Sequence, residues 1–222
     1  TAHSLHKHLW KLFQDTLSTE IVLPKGSEEY YAFYEGGEWQ KNWKQSIAEL
    51  LRVKVQEISP KRILDAGCGS SPNINHVSAN KKTGMDINEK ALEYMRKHSD
   101  AKFVTGSVLA MPFTDNTFDC VLCIEVIEHL YPEEVDKAIS EICRVLIPGG
   151  YAIIATPNYA SIRWNLIEKT QKLIQPKEWT GDHHTQLKHH SLSEICSRQG
   201  LTEITYGSVM RNMDMVITYQ KN

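Results

Sequence analysis

The run Lys61-Arg62-Ile63-Leu64 leads into Asp65-Ala66-Gly67-Cys68-Gly69, and this corner restricts the fold more than any other stretch. A short apolar segment that turns into a glycine-rich corner is the opening of a strand–turn–helix unit. A second apolar segment ends in Asp86, about twenty residues on, where α/β folds place a carboxylate for ribose hydroxyls. The glycines belong there because a residue without a Cβ lets backbone approach a ligand closely. A Gly-x-Gly alone says little, but the acid before it and the acid after it give it weight. Together they predict an α/β chain with a nucleotide-type site at the end of its first strand.

The corner does not suit a nicotinamide dinucleotide. That fingerprint has a third glycine three residues after the second. Pro72 stands in that place, and it removes an N–H that a pyrophosphate would use.

The 222 residues are 41% hydrophobic, enough for the core of one α/β domain with a modest appendage. A formal charge of −2 and a pI near 6.5 offer no basic surface to track phosphates, so nucleic acid is not an expected partner. No apolar run is long enough for a membrane span, and the His- and Lys-rich start lacks a signal-peptide pattern. Cys120 and Cys123 sit in one apolar run that reads as a strand, so their side chains point to opposite faces, about 10 Å apart and beyond disulfide reach. The five cysteines therefore read as buried thiols in a reducing, cytoplasmic setting.

Residues 1–59 read as an N-terminal helical cap and 60–222 as the main domain. Leu5, Leu9, Leu12 and Phe13 share one helical face, and Ile47, Leu50, Leu51 and Val55 share another. Between them Tyr30, Tyr31, Phe33, Tyr34, Trp39 and Trp43 flank Gly36-Gly37. This stretch either packs the cap on the sheet or forms a lid over the site with a glycine hinge. Strands are expected at Arg62–Asp65, Lys82–Asp86, Lys102–Thr105, Phe118–Ile124 and Tyr151–Thr156. A helix capped by Asn88 runs to about His98, and another opens at Pro132 and ends at Pro148-Gly149-Gly150. Residues 157–190 form a polar insertion. Ser191 and Glu194 read as a capping box, Gly200 stops that helix, and Leu201–Tyr206 and Met213–Tyr219 form a closing antiparallel pair at the sheet edge.

Glu125, Glu128 and His129 follow the fourth strand at i, i+3 and i+4, a spacing that puts three side chains on one face of a helical turn. Three readings stay open: a polar cap that fixes the loop, a general base with His129 oriented by a carboxylate, or a divalent-ion site. His183, His184, His189 and His190 crowd the insertion, either as a solvated loop or as the source of a remaining ligand, from His184 or His189. Arg163, Trp164 and Trp179 are candidates for an acceptor pocket or for packing.

Four segments match in register: ILDAGCGSSPN from Ile63, GMDIN from Gly84, GSVLAMPFTDNTFDCVLCIEVIEHL from Gly106 and LIPGGYAIIATPN from Leu146. They resemble the class I S-adenosylmethionine-dependent methyltransferases, and more narrowly the small-molecule branch that includes the ubiquinone- and menaquinone-pathway enzymes. The resemblance covers about residues 61–219. It implies a Rossmann-like, mostly parallel seven-stranded sheet with an antiparallel edge hairpin. It also implies that Asp65, Ala66, Gly67, Cys68 and Gly69 hold the methionine end of S-adenosylmethionine. Asp86 would take both ribose hydroxyls with Ile87 beside it, Ser107 and Val108 would lie at the adenine edge, and the Ile124–Glu125 backbone would meet the methionine amino group. The family often has an acid where this chain has Ser107, which can accept the adenine amine only as a hydroxyl.

EVIEHL is also similar to the metal-binding segment of small-RNA 2′-O-methyltransferases and of some ubiquinone-pathway O-methyltransferases. That implies Mg²⁺ or another divalent ion on Glu125, Glu128, His129 and His184. The activity implied is in-line methyl transfer to a hydroxyl of a small-molecule acceptor, with His129, Glu125 and Glu128 as catalytic groups. RNA ribose methylation and a catalytically silent cofactor-binding subunit are the alternatives.

Overall fold

Why the centre of the sheet assembles is visible in its burial. In the computed structural model, which describes residues 38–71, 73–174 and 183–222, β1 (Arg62–Ala66) and β4 (Phe118–Ile124) are almost wholly buried. Strands covered on both faces need continuous apolar runs, and RILDA and FDCVLCI supply them. The sheet also contains β2 (Lys81–Asp86), β3 (Lys102–Thr105), β5 (Leu146–Pro157), β6 (Leu201–Val209) and β7 (Asp214–Lys221), in the order β3-β2-β1-β4-β5-β7-β6. The first five strands run parallel, while β7 is antiparallel to both β5 and β6. The expected seven-stranded sheet with a reversed edge hairpin is thus what the chain forms.

Helices α1 (Glu38–Ile58), α2 (Asn73–His76), α3 (Glu89–His98), α4 (Pro132–Val145), α5 (Ile162–Ile174) and α6 (His189–Arg198) connect the strands. In α4, Val135, Ala138, Ile139, Ile142 and Val145 are all fully buried, the 3-and-4 spacing of one apolar stripe. Each fully buried aliphatic side chain there contributes about 1.5–3 kcal/mol. Pro132 fixes the first turn, and Glu134 accepts from the Tyr131 N–H at 3.0 Å. Asn88 caps α3 as expected, accepting from the Ala91 N–H at 3.3 Å.

The chain divides into two compact units, Thr1–Lys41 and Asn42–Asn222, and every described strand lies in the second. In α1, Ile47, Leu51 and Val55 are buried, and Lys54 donates to Thr205 Oγ1 on β6 at 2.7 Å. The expected helix around Leu5–Phe13, the aromatic stretch Tyr30–Tyr34 and the Gly36-Gly37 hinge lie outside the described residues.

Two boundaries differ from expectation. Strand β5 begins at Leu146 and runs through Pro148-Gly149-Gly150, because a register shift pairs Leu146 with Phe118 and then Tyr151 with Cys120. A bulge absorbs the extra residues. Helix α6 begins at His189, two residues before Ser191. The Ser191 hydroxyl accepts from the Lys188 N–H at 3.1 Å, so it reaches back from inside the first turn.

The order in which strands are added to the sheet reverses between β1 and β4. Such a switch point opens a crevice outside the carboxyl ends of the strands, the end at which the turn after β1, Asp86 of β2 and the turn after β4 all lie.

Candidate functional site

Gly67 makes the corner possible. It sits at φ +81°, and a Cβ added there would lie 2.5 Å from Val126 Cγ2. Backbone from β1 therefore approaches the segment after β4 at a distance that only glycine permits. The Gly67 and Cys68 N–H groups both donate to the Met85 carbonyl, at 2.7 and 3.0 Å. Gly69 N–H donates to Asp86 Oδ2 at 2.7 Å and Asn88 N–H to Asp86 Oδ1 at 2.8 Å. Each Asp86 oxygen thus accepts one backbone bond and retains lone-pair capacity, which orients the carboxylate at the end of β2. Ile87, directly after it, is an apolar residue left 74% exposed.

Asp65 is the strongly perturbed carboxyl of the corner. It is 1% exposed, and its Oδ2 accepts no hydrogen bond among the described residues. Burial, and then the charge of Asp86, push its carboxyl up to about 7. A cation brought to this carboxylate would relieve both terms. Ala66 and Cys68 are buried in the turn, and burial raises the Cys68 thiol, which makes it an inert packing group.

Residues 106–117 join β3 to β4. Val108 is buried, while the Ser107 hydroxyl accepts from the Leu109 N–H at 3.1 Å, so part of its acceptor capacity is spent locally. Arg144 holds this segment, donating to the Phe113 and Met111 carbonyls at 2.8 and 3.1 Å and to Asp115 Oδ1 at 2.8 Å.

After Ile124, Glu125 adopts φ +57°, an uncommon left-handed conformation for a residue with a side chain. A 3₁₀ turn, Ile127–His129, follows. The expected single face of Glu125, Glu128 and His129 is therefore not formed, because the left-handed residue breaks the helical phase. Glu128 is fully buried, its Oε2 accepting from Thr156 Oγ1 at 3.0 Å. His129 Nε2 lies 4.0 Å from Glu128 Oε1, and its side chain is 46% exposed. Burial raises the Glu125 carboxyl well above the carboxylate range, with Asp214 and Glu128 adding repulsion. Burial raises Glu128 and Asp214 in the same direction. Asp214, at the start of β7, is held by a hydrogen bond from the Trp43 indole N–H.

His183, rather than His184, completes the cluster. Donor atoms of Glu128, His129 and His183 all lie within 4.8 Å of one another. The rings of His129 and His183 meet edge-on with centroids 5.0 Å apart. The neighbouring His184 stacks on Tyr131 at 4.4 Å, and His189 pairs with Glu203 at 3.0 Å. Thr185 sets this arrangement. Its N–H donates to the Glu128 carbonyl at 3.1 Å and its hydroxyl to the Leu130 carbonyl at 2.6 Å, which docks the segment from 183 against the turn. Glu125 is not in this donor group; it faces Asp214 and Glu128 instead. Of the insertion residues, Trp164 is buried beside His183, Arg163 is exposed, and Trp179 lies outside the described residues. Sequence reasoning missed Asp214, although an acid inside the otherwise apolar run from Met213 to Tyr219 was a usable signal.

Residues 64–154 match the family model of a methyltransferase domain. A fatty-acid O-methyltransferase of Mycolicibacterium smegmatis is 35% identical over 117 residues, 49% of this chain and 42% of that protein. A 24-methylenesterol C-methyltransferase of Arabidopsis thaliana is 32% identical over 134 residues, 55% of this chain and 35% of that protein. The chain thus spans less than half the length of these two relatives. Magnesium protoporphyrin IX methyltransferase from Synechocystis, solved with bound SAH, shares the fold with a TM-score of 0.64 at 17% identity, over 87% of this chain and 92% of that one. Residues 64–154 thus carry the pattern of a methyltransferase domain, and the chain shares the fold of a solved methyltransferase.

Proposed function

We propose that this chain transfers the methyl group of S-adenosylmethionine to a hydroxyl of a small-molecule acceptor. One observation carries the reading: the Asp65–Gly69 corner, Asp86 and a buried carboxylate flanked by two imidazoles all stand at the carboxyl ends of neighbouring parallel strands. The relatives named for fatty-acid, sterol and porphyrin substrates support a small acceptor.

In this reading Asp65 holds the methionine amino group, Asp86 the ribose hydroxyls, and Ile87 and Val108 the adenine faces. The sulfonium is already a good leaving group, so much of the work is alignment of the acceptor oxygen behind the methyl carbon. As the oxygen–carbon bond forms, the carbon–sulfur electron pair returns to sulfur and the hydroxyl proton must leave. The Glu128, His129 and His183 cluster is the place for it.

The cluster also fits a divalent ion, because a carboxylate oxygen and two imidazole nitrogens converge, and Glu128 Oε1 accepts no hydrogen bond among the described residues. Glu128, His129 and His183 would hold such an ion, which would supply Lewis acidity toward the acceptor hydroxyl. Titrating Mg²⁺ and Mn²⁺ into protein loaded with S-adenosylhomocysteine, beside Glu128→Ala, tests this part. Saturable binding that the substitution abolishes supports it, and heats indistinguishable from the variant refute it.

The transfer itself is tested with methyl-¹³C S-adenosylmethionine and a small-molecule extract. The carbon shift of the transferred methyl separates methoxy products from N- or C-methyl products. A methoxy signal that depends on the protein is expected, and only N- or C-methyl signals would overturn the O-methyl reading.

A further inference from the structure

Behind the imidazole pair lies a buried chain of groups that cofactor binding does not use. Tyr159, just after β5, is 5% exposed, and Glu168, on α5, is 7% exposed. The Tyr159 hydroxyl donates to Glu168 Oε1 at 3.3 Å and lies 2.7 Å from His183 Nδ1. Glu168 Oε1 is the acceptor in the first of these contacts, so the one phenolic proton points to Glu168. A phenol, with an ordinary pKa of about 10, keeps that proton near neutral pH. Toward His183 the phenolic oxygen is therefore an acceptor, and Nδ1 must carry a hydrogen. A neutral imidazole protonated at Nδ1 has its lone pair on Nε2. The ring plane is fixed as well, by Trp164 stacked at 6.2 Å and 15° and by His129 at 75° to it.

We propose that Tyr159 and Glu168 are positioning residues that lock His183 in the Nδ1–H tautomer, leaving Nε2 as the proton acceptor for the acceptor hydroxyl. The use of that lone pair rests on the methyl-transfer reading above; the tautomer does not. In the step, the hydroxyl oxygen forms a bond to the methyl carbon and the carbon–sulfur pair goes to sulfur. The hydroxyl proton passes to His183 Nε2. The resulting imidazolium keeps its Nδ1–H on the Tyr159 oxygen, whose own proton remains on the Glu168 side.

The test reads the tautomer directly. Protein labelled with ¹⁵N-histidine, free of ligand, is examined by long-range ¹H–¹⁵N correlation at about pH 8, above the ordinary imidazole pKa of about 6.5. The His183 pattern is identified by its loss in His183→Gln. Wild type is expected to show the Nδ1–H form. Tyr159→Phe removes the acceptor and should let the Nε2–H form appear. Glu168→Met frees the phenolic proton to turn toward Nδ1 and should convert His183 to Nε2–H, although Glu168 does not touch that ring. Glu168→Gln, whose carboxamide oxygen still accepts, should keep Nδ1–H. Wild-type His183 in the Nε2–H form would overturn the proposal, as would a tautomer indifferent to both Tyr159→Phe and Glu168→Met. The wild-type spectrum decides the matter even if a variant fails to fold. Calorimetry with S-adenosylhomocysteine, run alongside, separates the two levels: wild type that does not bind it sinks the methyl-transfer reading and leaves the tautomer result standing.

Discussion

Asp65→Asn separates what the glycine corner does for the fold from what it does for a cofactor. Asp65 is fully enclosed, and its carboxyl is pushed up to about 7 by burial and by Asp86. In the unfolded chain the same carboxyl titrates near ~4. The unfolded state therefore releases the proton first, and stability is lost as pH rises from the unfolded value toward about 7. A gap of roughly three pH units is worth on the order of 4 kcal/mol, an upper bound on the gain because the replacing amide is desolvated too. Asp65→Asn should raise Tm at about pH 8 and change it little near pH 4. Cofactor binding runs the other way. An amino cation arriving at Asp65 favours the carboxylate, so binding near pH 6 should expel about one proton, and affinity should fall roughly tenfold from about pH 7.5 to about pH 6. Calorimetric titration of S-adenosylhomocysteine in two buffers of different ionisation enthalpy reads the affinity and the proton together. Asp65→Asn should bind more weakly and without that pH dependence. Equal wild-type affinity at both pH values, or tight binding by Asp65→Asn, would refute the reasoning.

Asp86→Ala removes the acceptor of two backbone N–H bonds and of the ribose hydroxyls, and should raise the Kd for S-adenosylhomocysteine by about 100-fold or more, read by calorimetry. Gly67→Ala places a Cβ 2.5 Å from Val126 Cγ2 at φ +81° and should cost about 1–3 kcal/mol in overlap plus a similar amount in backbone strain. Adding Val126→Ala should recover the overlap part of the Tm loss but not the strain. Arg144→Ala releases the Phe113 and Met111 carbonyls and should cost about 1–3 kcal/mol in urea unfolding, with weaker cofactor binding because the segment carrying Val108 loosens.

The central sheet was legible because β1 and β4 are buried on both faces, and such strands announce themselves as uninterrupted apolar runs. Asp86 was legible for a related reason: a strand end fixes where its last side chain goes. The acceptor side was legible in chemistry and not in geometry. Glu128 and His129 were identifiable, but the left-handed backbone at Glu125 leaves that residue out of their cluster, and no periodicity signals a single positive φ. The choice of His183 over its neighbour hangs on two Thr185 hydrogen bonds to carbonyls more than fifty residues away. Asp214 reaches the cluster only because β7 runs antiparallel to β5 and places it opposite Pro157, a pairing set by topology. The α6 start was misread because a serine inside the first turn can bond backward as well as cap.

A crystal structure of the complex with S-adenosylhomocysteine tests the central claim most directly. The ribose hydroxyls are expected on Asp86, the amino group at Asp65, and the sulfur directed toward the Glu128, His129 and His183 cluster. A ligand bound elsewhere, or one whose sulfur points away from that cluster, would contradict the account.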